Sequence, residues 1–288
     1  MEPVITVGLD GSPESLAAAH WGADEAVRRA LTVRLLHAWP MLVPEPTHIP
    51  SEIDQNYWAK RLVHNAKAQL QTRHPGLSVV GSLVADDAQN ALLEAASASE
   101  MLVLGSRGLA PVASYFLGDI SMPVVARADR PVVLVRAGDG HEGVPPAPGG
   151  VVVALKLNGP CDDVLDFAFH TAAARGVSLR AVHGRSLPLH AHVPWGVDHS
   201  VTEEIAQDAR KRLSKVLSRW HERFPDVEVV EVARLESPAE AVVRAATGAE
   251  LLVVGRRRGR PTPAPRLGSV AHAALHHARC PVAVVSHE

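Results

Sequence analysis

Apolar residues in the first half of the chain fall into two alternating kinds of segment. Short runs that are apolar at nearly every position, VITVGL (4–9), TVRLLHAW (32–39), LSVVGSLV (77–84), EMLVLG (100–105) and RPVVLVR (130–136), read as strands. Between them lie segments with helical apolar spacing: SPESLAAAHWGADEAVRRAL (12–31) behind a Ser-Pro start, NYWAKRLVHNAKAQLQTRH (56–74), AQNALLEAASAS (88–99) and SMPVVARA (121–128). Strands apolar on both faces and separated by helices predict a parallel sheet covered on both sides, which is an α/β class. Such open sheets take ligands beyond the carboxyl ends of their strands, near the point where strand order reverses.

The pattern then repeats. LLEAASASEMLVLGSRG (92–108) lines up with VVRAATGAELLVVGRRR (242–258), and the same offset pairs Gly118 with Gly268 and Pro131 with Pro281. Upstream, ALTVRLLHA (30–38) matches GVSLRAVHG (176–184). The chain is therefore a tandem duplication. Its halves are joined by AGDGHEGVPPAPGG (137–150), a Gly- and Pro-rich stretch that reads as a linker and puts a domain boundary near Gly143, with domains 1–142 and 143–288. The final strands, PVVLVR (131–136) and PVAVVS (281–286), are apolar and terminal in their sheets, so they are candidates for edge pairing with each other, inside one chain or across a dimer, and a homodimer is the expected assembly.

Charge and composition narrow the partners. A formal net charge of -2 over 288 residues supplies no basic field for nucleic acid. Two cysteines, Cys161 and Cys280, are too few for a disulfide framework or a thiolate metal site, which suits a reducing cytoplasm. The start, MEPVITVGLDGS, lacks the basic region and apolar core of a signal peptide, and no run long enough for a membrane span occurs, so a cytoplasmic protein away from membranes is expected.

The candidate chemistry lies in LVLGSRGLAPVASYFLGDISMP (102–123). Gly105 and Gly108 follow an apolar strand, and Gly118 comes after nine intervening residues at a helix start. Glycines let a main chain approach an anion and turn its N–H groups inward, and a helix N-terminus favours negative charge. A turn between strand and helix is the plain alternative for two glycines three apart, but the nine-residue spacer and its repetition add specificity. Neither a P-loop nor a strand-embedded GxGxxG is present.

VGLDGSPES, LLEAASASEMLVLGSRGLA, LGDIS and RPVVLVR, with RGVSLRAVH, ELLVVG and LGSVAHAALHHARCPVAVV in the second half, resemble the signature segments of the universal stress proteins (UspA-like) in their tandem form, over nearly the whole chain. The resemblance implies two doubly wound, Rossmann-like α/β domains, each with a mainly parallel five-stranded sheet. In the nucleotide-binding branch it implies ATP held by G-x2-G-x9-G-[ST] and by an Asp after the first strand. Carried onto this sequence, Asp10 would sit by the ribose and adenine and Ala38 near the adenine. Gly105, Ser106, Arg107, Gly108, Gly118, Ile120 and Ser121 would lie around the phosphates and ribose.

Two departures qualify that expectation. In the first half the hydroxyl position is Asp119, and a carboxylate about 4 Å from a phosphate charge costs on the order of 4 kcal/mol at an effective dielectric near 20, before screening. A Mg²⁺ bridging Asp119 to the phosphates, rotation of Asp119 to cap its own helix, or a hydroxyl from Ser121 would each relieve it. In the second half Gly255, Gly268, Ser269 and Val270 remain as a remnant, but Lys156 stands where Asp10 does, Arg258 replaces the second glycine, and Pro261, Pro263 and Pro265 occupy the spacer. Prolines lack the N–H that such a loop needs. Arg256, Arg257, Arg258, Arg260 and Arg266 either bind anions by side chain or form a solvated basic loop.

Histidines complete the inventory. His272 and His276 stand four apart on a predicted helix, with His277 and Cys280 nearby, but they have no acidic partner and no metal is expected. His190, His192 and His199 fall in a Pro-rich stretch that reads as an exposed loop. No nucleophile with a base is recognisable, so no catalytic residue is assigned and at most slow incidental ATP hydrolysis is expected. The sequence thus predicts a stress-response regulator that binds ATP in its first domain and acts on an unidentified regulatory protein. The alternative is an interaction scaffold that has lost its nucleotide. An adenylate-forming enzyme would need an S-G-G-x-D-S type loop that is missing.

Overall fold

A computed structural model describes residues 3–39, 51–106, 120–137, 149–187, 192–193, 196–197, 199–258 and 267–288. The chain divides into two compact units, Met1–Gly143 and Val144–Glu288.

The first unit runs β1 (Val4–Gly8), α1 (Pro13–Arg29), β2 (Thr32–Trp39), α2 (Ser51–Arg73), β3 (Val79–Ala85), α3 (Ala88–Ser97), β4 (Met101–Ser106), α4 (Ser121–Arg127) and β5 (Val132–Arg136). Its strands pair in the order β5-β4-β1-β2-β3, all parallel. Strand order reverses between β1 and β4, because α1 leads from β1 to one side and α4 leads from β4 to the other. Ile5, Val7, Leu35, Leu102 and Val103 are fully buried. A methyl added to Gly22 of α1 would meet Val7, whereas one added to Gly8 would meet Leu92 of α3, so adjacent residues of β1 face helices on opposite sides of the sheet.

Local signals account for the helix ends. Ser12 caps α1 by accepting from Ser15 N–H, Pro13 opens the helix, Glu14 lies in its first turn, and Arg28 and Arg29 lie in its last. α2 begins at Ser51, ahead of the Asn56 expected from apolar spacing. Half-buried Arg34 donates to Thr6 Oγ1, Ser99 Oγ and the Ala95 carbonyl, tying β1, β2 and the end of α3 together.

The second unit repeats the plan with β6 (Val151–Ala154), α5 (Asp162–Arg175), β7 (Leu179–Gly184), β8 (His192–Val193), β9 (Gly196–Val197), α6 (His199–Arg223), β10 (Val229–Arg234), α7 (Pro238–Ala245), β11 (Leu251–Arg257), α8 (Ser269–His277) and β12 (Val282–His287). The five long strands pair in the order β12-β11-β6-β7-β10, the same as in the first unit, again parallel. The stretch read from sequence as an exposed loop differs. His192 and Val193 pair antiparallel with Val197 and Gly196, and His199 opens α6. Strands of two residues each are too brief for an apolar pattern to register, and His190 lies outside the described residues.

Candidate functional site

The site is built at the reversal point of the first sheet. Leu9 N–H donates to the Leu36 carbonyl, so the β1–β2 register continues past Gly8. Carried to its end, that register sets Asp10 level with Ala38, and the β1–β4 register sets Asp10 level with Ser106. Counted along these registers, three of the residues singled out from sequence fall in one row at the carboxyl ends of adjacent strands.

The first turn of α1 joins them. Asp10 is exposed, and its Oδ1 accepts from Ser12 N–H at 2.9 Å and Ser12 Oγ at 2.5 Å, while Ser12 Oγ accepts from Ser15 N–H at 3.1 Å. Gly105 reaches the same turn from β4. A Cβ there would lie 2.6 Å from Glu14 C and Ser15 N, so only a glycine permits this approach of β4 to α1. Ser106 is buried, and Gly11 in the β1–α1 turn lies against the Leu62 side chain. An exposed carboxylate, a glycine backbone and a helix N-terminus thus converge where a nucleoside phosphate would find a ribose acceptor and N–H donors, and these residues fit such a ligand.

Arg107, Gly108, Gly118 and Asp119 lie outside the described residues. Ser121 opens α4, with Ile120 before it half exposed and supplying no side-chain cap. Trp39 follows Ala38 at the end of β2, and its ring stacks on His37 with centroids 6.0 Å apart.

Sequence reasoning assigned His37 no part. Its Nδ1 lies 2.7 Å from the carbonyl of Leu9, the residue before Asp10, and so fixes the backbone entering the site. His183 makes the same bond to Leu155, 2.9 Å away, in the second unit. The alignment of the two repeats carried the signal, since both histidines end matching strands.

The second unit keeps this scaffold and changes its chemistry. Lys156 is exposed at the position of Asp10, and the β6–β11 register sets it level with Arg256. Arg258, in place of the second glycine, donates from Nε to Ser286 Oγ at 2.8 Å and from Nη2 to the Ser286 carbonyl, and pairs with Asp163 at 3.6 Å. Gly255 lies against the His287 ring and Val164 rather than against a helix backbone. Gly268 and Ser269 are exposed at the start of α8, with Val270 behind them. This arrangement does not fit the ligand that the residues of the first unit fit, because a cation stands at the position of Asp10 and a tethered arginine at that of the second glycine.

The His272 and His276 rings stand 4.3 Å apart on α8. No group of three or more His, Cys, Asp or Glu among the described residues could hold a metal ion, and no helix among them is long and apolar enough to cross a membrane.

The universal stress protein family model matches residues 2–136 and again 150–286. A universal stress protein of Mycobacterium tuberculosis (strain ATCC 25618 / H37Rv) is 35% identical over 290 residues, covering 97% of this chain and 96% of its own. Among solved structures, a universal stress protein from Archaeoglobus fulgidus DSM 4304 matches 98% of both chains with a TM-score of 0.70 at 16% identity, a likeness of fold. A shorter universal stress protein, solved in complex with cAMP, covers 48% of this chain with a TM-score of 0.38 at 20% identity. Two family matches in series and a relative of this identity over nearly the whole length establish that the chain belongs to the universal stress protein family, in its tandem two-domain form.

Proposed function

We propose that the first domain holds one adenine nucleotide, ATP, and that the chain acts as a cytoplasmic stress-response regulator rather than as an enzyme. The observation that supports this reading most is the meeting of Asp10 and Gly105 at the first turn of α1, level with Ala38 and Ser106, at the reversal point of the sheet. Asp10 takes the ribose hydroxyls, the end of β2 around Ala38 lies by the adenine, and the backbone after Gly105 cradles the phosphates. Occupancy shifts the balance between homodimer and regulatory partner.

A second reading, the nucleotide-free scaffold, draws its support from Asp119 in the hydroxyl position and from Lys156 and Arg258 in the second domain. Calorimetry with ATP separates the two, together with mass spectrometry of protein denatured directly after purification. The expected result is adenine nucleotide carried through purification and a single ATP per chain, lost on Asp10→Ala. Two equivalent sites would sink the one-domain assignment, and no binding at millimolar ATP, with or without magnesium, would leave the scaffold reading in its place.

A further inference from the structure

The second domain has inverted the charge of the site while keeping its frame. Counted three residues past its last pair, Val153 with Val253, the β6–β11 register brings exposed Lys156 to the row of buried Arg256, as the β1–β4 register brings Asp10 to the row of Ser106. Arg257 is exposed at the end of β11, and its Nη2 comes within 3.0 Å of where a Cβ on Gly159 would stand. Gly159 lies in the turn between Lys156 and α5, so a strand-end guanidinium reaches over the segment that follows the lysine. Arg258 closes the same side, held by Ser286 and Asp163. The carboxylates nearby are already engaged: Asp163 with Arg258, and Asp162 with Arg219.

At the end of β7 the packing is closer than at the end of β2. The β6–β7 register sets Gly184 level with Lys156, in the place of Ala38, and a Cβ on Gly184 would come 2.6 Å from Pro238 Cα and 3.0 Å from Ala241 Cβ. α7 thus stands closer to β7 than any side chain allows, whereas the first domain accommodates a methyl at that position. Cations have gathered at one end of the row, and at the other α7 packs directly on the β7 backbone.

We propose that the second domain binds a linear phosphate chain without a nucleoside, using Lys156 and Arg257 as its direct contacts and Arg258 as the fixed wall beside them. A phosphate chain presents several charged oxygens to guanidinium and ammonium groups, which bind it by charge-assisted hydrogen bonds and need no backbone N–H groups. That tolerates the prolines at 261, 263 and 265, which would spoil a glycine-loop cradle.

The test is calorimetric titration of the full chain with sodium tripolyphosphate, in saturating ATP so that the first domain is occupied. One binding event is expected, weakening as salt is raised. Lys156→Glu and Arg257→Glu should each weaken it by roughly tenfold or more, with Arg257→Lys retaining most of the affinity and ATP binding unchanged in all three. Thermal melts check that the variants are folded, and Lys156→Gln carries the test if a Glu variant is not. No tripolyphosphate binding at millimolar concentration, or binding indifferent to both Glu variants, would overturn the proposal. So would a second ATP event as tight as that of tripolyphosphate, since the site would then accept the nucleoside.

Discussion

His37 holds the Leu9 carbonyl through a 2.7 Å bond from Nδ1, and this fixes the backbone one residue before the exposed Asp10. The carbonyl accepts, so the proton sits on Nδ1. The bond spans the end of β1 and the end of β2, and His183 repeats it with Leu155.

Replacing either histidine by alanine removes a hydrogen bond and should lower stability by about 1 kcal/mol. Only His37→Ala should also weaken ATP, because only there does the held carbonyl precede an acidic residue. Chemical denaturation and ATP titration of both variants read the two effects separately. Equal loss of ATP affinity in His37→Ala and His183→Ala would refute a positioning role.

Gly105 and Gly255 are matching glycines with different neighbours. A Cβ on Gly105 meets backbone atoms of Glu14 and Ser15 at 2.6 Å, whereas one on Gly255 meets the His287 ring at 2.9 Å and Val164 Cγ2 at 3.1 Å. Backbone in a helix turn cannot swing aside, but an exposed histidine ring can. Gly105→Ala should therefore cost about 1–3 kcal/mol and abolish ATP binding, with Gly255→Ala costing less and sparing it. Denaturation midpoints of the two variants give the order.

Ala30 ends α1 in the left-handed conformation, with φ of 53°, where its repeat counterpart Gly176 has φ of 65°. An L side chain is strained there and glycine is not. Ala30→Gly should stabilise the protein by about 0.5–1 kcal/mol, and Gly176→Ala should destabilise it by a similar amount. A melt in which Ala30→Gly lowers the midpoint would contradict this.

In the proposed site, Asp119→Ser removes a like charge and adds a hydroxyl donor. ATP should bind more than tenfold tighter, on the basis that about 1.4 kcal/mol already gives ten. If Mg²⁺ bridges the carboxylate to the phosphates, the same change should instead weaken binding, and only with magnesium present. Fluorescence of Trp39, next to Ala38, is the readout.

Burial holds the His20 imidazole below its ordinary pKa of 6.5, with the charge of Arg73 pushing the same way and Asp24 opposing. Above 6.5 the group is neutral folded or unfolded. Below it the unfolded chain takes up a proton that the folded chain resists, so stability is lost as pH falls from 6.5 toward the folded value. His20→Gln should flatten that part of the stability curve. Denaturation at about pH 5 and about pH 7.5 checks it, and an unchanged slope in the variant would place the acid sensitivity elsewhere.

The two-domain architecture was legible in the chain because its signals are local or repeated. Apolar runs too continuous for one-sided burial dictate a covered parallel sheet, and the recurrence of ELLVVG after EMLVLG shows that the frame is used twice. Asp10, Ala38, Gly105 and Ser106 could be placed at strand ends for the same reason. The contacts that give those ends their chemistry depended on register between strands far apart in sequence. His37 reaches Leu9 across 28 positions, Arg258 reaches Ser286 across the same distance, and Gly105 presses on a helix turn some 90 residues earlier. A pattern read along the chain carries no information about which residues come level when parallel strands pair, so the duplication was written in the sequence. The tertiary structure decided that Gly105 presses on the first turn of α1 while Arg258 is tied to Ser286 and Asp163, because cross-strand register is set by packing of the whole sheet.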